Sequence, residues 1–431
     1  MPDDISRKTV LFWDASAGYS HMAEAVVGDF ARVLYYSFWE HAFPLPIDVQ
    51  AGQGVKGVER VNDFWDALER ADLVVFPDVG NGGLQEYLRK QGVPVFGCGA
   101  AGRLEMDRWF LKMACKKMGI KYADSYLLQS VDEVRELIDK AKTDFWIKIS
   151  YWRGLKETHH HLFKKGSLDW LDEVSLGAGA FRDRMQFIIE APIDGDPCCE
   201  VGADPPWVLA GQYPEEMLWG YEAVKDSVYV GTTTTLPARM RDVLDKFSPM
   251  FEAYNYRGPF SSETRETEEG SFFLDATCRF PEPPSSLMRF MIRNWGEMMW
   301  EVANGRPCEP DYAATIGVQL VLKSPWAADH PLAVEIGRPD RTTLHGHCVI
   351  DGQDYAVSPS KLEECGAAVG FADSLEEAMA EALDAAESIK GLQLTYDEGG
   401  LKDAIEAIET GNKLGLNWNG LPAGRIAAKV A

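Results

Sequence analysis

The segment from Ser261 to Pro284, SSETRETEEGSFFLDATCRFPEPP, carries Glu263, Asp275, Thr277 and Arg279 at spacings that could hold a hard cation and an anionic oxygen together. On an extended strand residues i, i+2 and i+4 share a face, so Asp275, Thr277 and Arg279 can point into one cleft. Two carboxylates beside a hydroxyl suit Mg²⁺, which keeps several waters and bridges phosphate oxygens. An arginine next to them can grip a phosphoryl or carboxylate oxygen with two parallel N–H groups. A solvated hairpin with charges on its polar face would read the same way, and these residues alone leave both readings open.

Lys148 closes the apolar run FWI, and a lysine is rarely buried in such a place unless it meets an anion. The next residues, YWRGLK, add Arg153 and Lys156 around one glycine, enough for a flap over phosphates although far from a Walker loop. His159, His160 and His161 follow, and on a strand the middle imidazole points away from its neighbours, which disfavours one metal shared by all three. Further on, FIIEAPIDGD is an apolar strand ending at Glu190. Free backbone groups at such an end can meet an adenine edge and the later Glu200 can accept from ribose hydroxyls, though taken alone such a run is more often an ordinary strand end. No GxSxG elbow and no CxxC pair occurs, so covalent catalysis by the protein, a zinc site and a disulfide framework are not indicated.

The elements that would position these residues begin with the strand Thr9–Trp13, the turn DASAGYS and a helix over His21–Leu34. A second unit runs from the strand Asp72–Phe76 through PDVGNGG and the helix LQEYLRKQG to the strand VPVFG. Strand, turn, helix, strand predicts a parallel α/β unit whose ligands sit beyond the carboxyl ends of the strands. That topology nominates Gly18 in the first turn and Asp78, Gly80 and Asn81 in the second. One helix is expected over Arg103–Met118, ended by Gly119, and Ser130 with Glu133 forms a capping box before the next. The central region then reads as strand-rich, with runs at Phe145–Ile149, Met185–Glu190, Trp207–Ala210, Val228–Val230 and Ser271–Leu274 and a long helix near Pro237–Tyr254. From Asp311 onward short strands precede a helix capped by Ser374 and Glu377 and stopped at Gly391.

The chain has 431 residues, 46% hydrophobic and 26% charged, a composition that folds and is too long for one ordinary core. A formal charge of −24 argues against a general nucleic-acid binder, which needs lysine and arginine to neutralise phosphates. The start, MPDDISRKTVLFW, lacks a basic-then-apolar leader, and no stretch approaches the length of a membrane span. The expectation is a cytoplasmic protein with small-molecule partners, no membrane or nucleic acid, existing as a monomer or homodimer.

Taken in order, these residues resemble the ATP-grasp superfamily, and within it the phosphoribosylamine–glycine ligases, over nearly the whole chain. GVPVFGCGAAGRLEMDRWFLKMACKKMGIKYADSY, from Gly92 to Tyr126, is similar to the family's apolar strand, LE pair and basic helix. The resemblance implies ATP phosphates held by Arg108, Lys112, Lys148, Arg153 and Lys156, adenine and ribose by Glu190, Ile193 and Glu200, and Mg²⁺ by Glu263, Asp275 and Thr277. It makes Lys148 and Arg279 catalytic, with Arg279 also contacting substrate. The implied fold is α/β and α+β: an amino-terminal parallel α/β domain over 1–103, an ATP-grasp domain of two α+β lobes over 104–305 and a small closing domain over 306–431. The implied cofactors are ATP and Mg²⁺, and the implied reaction is an ADP-forming carboxylate–amine ligation through an acyl phosphate, joining an amino acid to a small amine. The other implied reading is a nucleotide-binding relative acting as sensor or scaffold. The sequence departs from the family pattern at the bulky flap YWRGLKETHHH, at Asp275-x-Thr277 in place of Glu-x-Asn, at Arg108 in place of lysine, and in the first turn, which keeps Gly18 and His21 but not the family's arginine and acid.

Overall fold

In the computed structural model, which describes residues 4–38, 49–151, 157–224, 227–358 and 362–418, the amino-terminal apolar runs pair as a parallel sheet. Its strands β1 (Thr9–Trp13), β2 (Arg32–Tyr36), β3 (Val58–Arg60), β4 (Leu73–Val75) and β5 (Val95–Phe96) stand in the order β3-β2-β1-β4-β5. Their apolar runs are continuous because both faces are covered. Val10, Phe12, Val33, Tyr35 and Val75 enter one core, while Leu11, Leu34, Val74 and Val95 enter another. The strand order reverses between β1 and β4, so the turns after these two strands open on the expected switch point.

The helix expected over His21–Leu34 is a correction. The chain forms only α1 (Ser20–Ala25), passes through Gly28 at φ +101, and extends as β2. Val33 and Leu34 lie beside β1 with both faces buried, a tertiary demand that overrides helical spacing. Two more helices, α2 (Phe64–Leu68) and α3 (Gly82–Lys90), complete this unit. The single helix expected over Arg103–Met118 is also divided, into α4 (Arg103–Met106) and α5 (Arg108–Met118). Asp107 leaves the helical region at φ −123 and its carboxylate accepts from the Phe110 N–H, restarting the helix as an N-cap.

A small lobe follows: β6 (Ser125–Leu128), α6 (Val131–Lys140), β7 (Phe145–Ile149), β8 (Thr158–His161), α7 (Lys164–Ala178) and β9 (Phe187–Glu190). Its antiparallel sheet, in the order β6-β9-β7-β8, packs a core of its own that includes Val134, Ile138, Phe145, Ile147, Leu171 and Phe187. Ser130 caps α6 as expected, accepting from the Glu133 N–H at 3.2 Å. Helix α7 has no counterpart in the sequence reading, since Gly166, Ser167, Ser175 and Gly177 dilute its apolar pattern.

The remaining elements are β10 (Cys198–Asp204), β11 (Val208–Leu209), β12 (Glu216–Val224), β13 (Val228–Thr235), α8 (Ala238–Ala253), β14 (Arg257–Gly258), β15 (Ser261–Thr267), β16 (Gly270–Thr277), α9 (Ser285–Met291) and α10 (Trp295–Ala303), followed by β17 (Ile316–Lys323), β18 (Leu332–Ile336), β19 (Thr342–Leu344), β20 (Cys348–Ile350), β21 (Gln353–Ala356), β22 (Glu364–Ala372), α11 (Leu375–Ser388), β23 (Ile389–Gly391) and α12 (Gly400–Lys413). Eight of these strands form one sheet in the order β16-β15-β10-β12-β13-β17-β22-β19. The division expected at 305/306 cuts through this sheet, where β13 and β17 are hydrogen-bonded neighbours. Helix α11 ends at Ser388 and not at Gly391, because Ile389–Gly391 pairs with β18.

Helix α11 lies against β22 where Gly370 leaves room. A Cβ there would stand 2.0 Å from the Ala378 carbonyl oxygen and 2.5 Å from the Ala382 nitrogen. Both are backbone atoms and cannot swing aside, so Gly370→Ala is expected to destabilise the fold by about 1–3 kcal/mol. A denaturant midpoint equal to the parent's would contradict this packing.

Candidate functional site

Glu190 ends β9 and is 3% exposed, yet it is flanked by two cations. Lys112 of α5 places Nζ 2.7 Å from Glu190 Oε1, and Lys148 of β7 places Nζ 2.7 Å from Glu190 Oε2. Burial acts to raise the Glu190 pKa, but Lys148 and Lys112 outweigh it and hold the carboxyl at about 2. Burial lowers the Lys112 pKa despite Glu190, whereas for Lys148 the attraction of Glu190 and Asp275 wins over burial and raises it. Lys112 also donates to the Leu274 carbonyl at 3.3 Å, so α5, the small-lobe strands β7 and β9, and β16 of the eight-stranded sheet meet at three charged groups.

A bulge aims the neighbouring acids. β15 and β16 are in register with Glu263 opposite Asp275, but the pairing shifts between Glu263 and Thr264, where Phe273 becomes the partner. Leu274 is the extra residue, so Phe273 and Ala276 are both buried in the core while Asp275 and Thr277 remain on the other, partly exposed side. Of the three residues expected on one face, Asp275 and Thr277 share it, whereas Arg279 follows the end of β16 and turns to Glu105 and Tyr19 instead. Arg108, at the start of α5, brings Nε to 3.4 Å from Asp275 Oδ2 and Nη2 to 2.7 Å from Glu157 Oε2, and donates to the Ile149 carbonyl at 3.1 Å. Asp275 is shifted down: burial opposes this, but Arg108, Lys148 and Lys112 prevail. Glu263 is pushed up to about 8 by burial and by the acids Glu200, Glu222 and Asp275.

Among the described residues no three His, Cys, Asp or Glu side chains are arranged to enclose a metal ion. Mg²⁺ needs fewer, one or two carboxylates completed by phosphate oxygens and water. The cross-strand pair Glu263 and Asp275 fits that requirement, and the raised Glu263 marks a surplus of negative charge that a cation there would relieve. Thr277 lies one face-repeat beyond Asp275, opposite Ser261.

Arg279 stands apart from this cluster, at the junction with the amino-terminal sheet. Its Nε donates to Glu105 Oε1 at 3.0 Å, its Nη1 to Tyr19 Oη at 2.5 Å, and Asp78 Oδ1 lies 3.7 Å away. The Tyr19 hydroxyl donates to the Phe280 carbonyl at 3.1 Å, and Glu105 Oε2 accepts from the Cys278 N–H at 2.7 Å. The α4–α5 segment thus grips the end of β16 twice, through Glu105–Arg279 and Arg108–Asp275. Gly80 and Asn81 lie in the same turn as Asp78 and take left-handed φ of +112 and +50. Asp14, directly after β1, is wholly buried and accepts from the Tyr19 N–H and the Tyr35 hydroxyl, each at 2.7 Å. Burial pushes it up to about 6, these two bonds pull it down, and Asp78 adds repulsion.

Other expected contacts are placed differently. His21 has no exposed surface, and its Nε2 lies 3.0 Å from Ser285 Oγ, so it supports the turn from below and cannot contact a substrate. Gly18 remains partly exposed in that turn. Glu200 pairs with Arg265 at 2.7 Å across β10 and β15, which takes up one of its oxygens, and Ile193 lies half-buried in the segment after β9. Arg153 and Lys156 fall outside the described residues. Each histidine of the THHH strand is engaged within its own lobe: His160 stacks on Trp146 at 4.2 Å, His159 on Trp170 and His161 on Phe145, with His159 and His161 both bonded to Ser167. Sequence reasoning missed Asp14, Tyr19, Glu105, Glu157 and Glu222. Asp14 carried a signal, an acid placed at once after a buried parallel strand, and Glu105 is the acid of the LE pair in the family resemblance.

No protein-family model and no curated protein matches the sequence. Solved structures do match along nearly the whole chain. The phosphoribosylamine–glycine ligase of Thermotoga maritima superposes with a TM-score of 0.68 at 17% identity, covering 90% of this chain and 98% of that one. The biotin carboxylase domain of the Hydrogenobacter thermophilus 2-oxoglutarate carboxylase, solved with ADP, its magnesium salt and bicarbonate, gives 0.66 at 12%, covering 94% and 98%. The N5-carboxyaminoimidazole ribonucleotide synthetase of Thermus thermophilus gives 0.57 at 13%, covering 88% and 98%. The chain has the ATP-grasp fold. β9 is the last strand of the small lobe before the chain enters the large sheet at β10, and Glu190 sits at that joint with both lysines.

Removing Glu190 leaves two lysines in a confined space without a counter-charge, so Glu190→Ala is expected to lose about 3–5 kcal/mol of stability. The depressed Glu190 pKa also sets a pH window. Its contribution is fully present above the unfolded carboxyl's value of 4.5 and is lost as pH falls toward about 2. Glu190→Gln should therefore show a shallower decline of unfolding free energy between pH 4.5 and 2 than the parent. Parallel acid limbs for the two proteins would refute the ion triad.

Proposed function

We propose that this protein is an ATP- and Mg²⁺-dependent ligase that activates a carboxylate as an acyl phosphate and passes it to an amine. The observation that carries the reading is the convergence of Lys112, Lys148 and Arg108 with Glu190, Asp275 and Glu263 where the small lobe meets the large sheet. Phosphoryl transfer asks for little covalent help from a protein and mainly for positioning and charge stabilisation. Three cations from two elements, α5 and β7, supply that for phosphate oxygens. Mg²⁺ held by Glu263 and Asp275, with Thr277 beside them, supplies further neutralisation of phosphate charge. Residues after Glu190, including Ile193, offer backbone groups to the adenine edge, and the second oxygen of Glu200 is available to ribose.

In the reaction proposed, ATP transfers its terminal phosphoryl group to the carboxylate of an amino acid, releasing ADP. The amine then attacks the acyl carbon and phosphate leaves, giving an amide. Arg279, anchored by Glu105 and Tyr19, orients the reacting carboxylate, while Lys148 and Arg108 hold phosphoryl oxygens in line. The amino acid and the small amine-bearing acceptor are the expected substrates, in the manner of glycine ligation.

One observation favours a second reading, nucleotide binding without turnover: Arg108 already neutralises Asp275, a proposed metal ligand. Hydroxylamine separates the two, because it intercepts an acyl phosphate as a hydroxamate without needing the natural amine. With ATP, Mg²⁺ and a panel of amino acids, a ligase yields hydroxamate and ADP with at least one acid. Lys148→Ala is expected to lower kcat/KM for that acid by about 100-fold, and Asp275→Ala to raise the Mg²⁺ concentration needed for half-maximal rate. Thermal stabilisation by ATP with neither product from any acid would favour the binding role. Indifference to ATP would sink both readings.

A further inference from the structure

His347 lies in the connection between β19 of the eight-stranded sheet and β20 of the carboxy-terminal sheet β20-β21-β18-β23, and both of its ring nitrogens face carboxylates. Nδ1 is 3.0 Å from Glu24 Oε1, on α1 of the amino-terminal unit, and Nε2 is 2.9 Å from Asp354 Oδ1, on β21. A neutral imidazole has one N–H and one lone pair, whereas an ionised carboxylate only accepts. Both bonds therefore form together only when the ring is an imidazolium that donates from each nitrogen.

The charges around the ring match that form. From α9, Arg289 Nη2 takes the other oxygen of Glu24 at 3.0 Å. Burial acts to raise the Glu24 pKa, but Arg289 and His347 outweigh it and hold that carboxyl at about 2. His21 of α1 and His345, directly after β19, also face this region with their rings 6.3 Å apart, and burial lowers both, so they add no charge near neutrality. Burial acts to lower His347 as well, but Glu24 and Asp354 prevail and raise it. Cations and carboxylates thus alternate from α9 to β21 in the order Arg289, Glu24, His347, Asp354.

The same junction covers the turn after β1. The His347 N–H donates to Ser20 Oγ at 3.1 Å, the His347 carbonyl accepts from the Gly52 N–H at 2.7 Å, and the Val349 N–H donates to the Gln53 carbonyl at 2.8 Å. A Cβ on Gly54 would stand 2.2 Å from the Val349 carbonyl oxygen, so the hairpin of β20 and β21 is pressed against residues 50–54. Loss of a proton leaves the ring one N–H. Glu24, 14% exposed and tied to Arg289, keeps it. The lone pair on Nε2 then meets the Asp354 carboxylate, which is 35% exposed and can turn to water.

We propose that His347 is a pH-sensitive clasp: its imidazolium fastens the β20–β21 hairpin to α1, and loss of one ring proton to solvent releases Asp354 and loosens the hairpin over the first turn. The device does not depend on the ligase reading. Because the folded pKa is raised, the clasp contributes fully below the unfolded imidazole's 6.5, and its contribution is lost as pH rises through the folded value.

The test is hydrogen–deuterium exchange of the full chain from about pH 6 to about pH 9, with protection corrected for the intrinsic exchange rate. Protection over residues 348–356 is expected to fall about tenfold as pH rises in the parent, while the small-lobe strands β7 and β9 keep theirs. Asp354→Asn removes one charge and keeps the shape, and is expected to move the midpoint of that fall to lower pH. His347→Gln has no titrating ring and is expected to show the low protection at every pH. Protection independent of pH in the parent, a midpoint unmoved by Asp354→Asn, or a parent-like profile in His347→Gln would each overturn the proposal. A simultaneous fall over β7 and β9 would do so too, since it would mean global unfolding in place of local release.

Discussion

Two lysines and one glutamate buried together at a hinge constrain everything around them. Taking three charges out of water is unfavourable unless geometry and hydrogen bonding compensate. Lys112, Glu190 and Lys148 meet that demand only when α5, β7 and β9 are held in one mutual arrangement. The triad carries one net positive charge, and Lys112 also donates to the Leu274 carbonyl. An assembly of this kind is poor as a source of stability and well suited to receiving polyanionic phosphate. The small lobe has its own core and its self-contained histidine stacks, and the triad ties its strands β7 and β9 to α5.

The second organising device is the bulge in β16. Without the extra residue at Leu274, the alternation that buries Phe273 would turn Asp275 to the other face. One irregularity thus reconciles a packed hairpin with a carboxylate facing the cleft. The α4–α5 break at Asp107 acts in concert with it. An unbroken helix would carry Glu105 and Arg108 around a continuous spiral, whereas the restart lets Glu105 meet Arg279 and Arg108 meet Asp275. Two ion pairs of opposite polarity then clamp the same strand end.

Away from Lys112, Lys148 and Arg108, the amino-terminal switch point carries Asp14 and Asp78. The same general architecture that elsewhere presents amides to an anion here closes its first turn around Asp14 and sets Asp78 in the second. Fold and charge are separable: the sheet order decides where a ligand can lie, and the side chains at the strand ends decide which sign of charge it carries. Arg279 links the two regions, since it follows the acidic strand β16 and is tied to Tyr19 and Asp78 of the amino-terminal turns.

The sequence by itself determined the parallel amino-terminal unit, the capped helices after Ser130 and Ser374, the strand that ends at Glu190 and the shared face of Asp275 and Thr277. Each of these is local, set by apolar period, side-chain caps or alternation within a few residues. It also drew attention to Lys148, because a lysine closing an apolar strand needs a partner. Only the tertiary structure decided what that partner was, since Glu190 and Lys112 lie far from it in the chain. Tertiary packing likewise turned the expected helix around Val33 into a strand by offering β1 as a neighbour, buried His21 beneath its turn, and placed Asp14 across the amides that might have met an anion. Those outcomes depend on which surfaces face one another, and a linear pattern carries the propensity of each segment without the identity of what covers it.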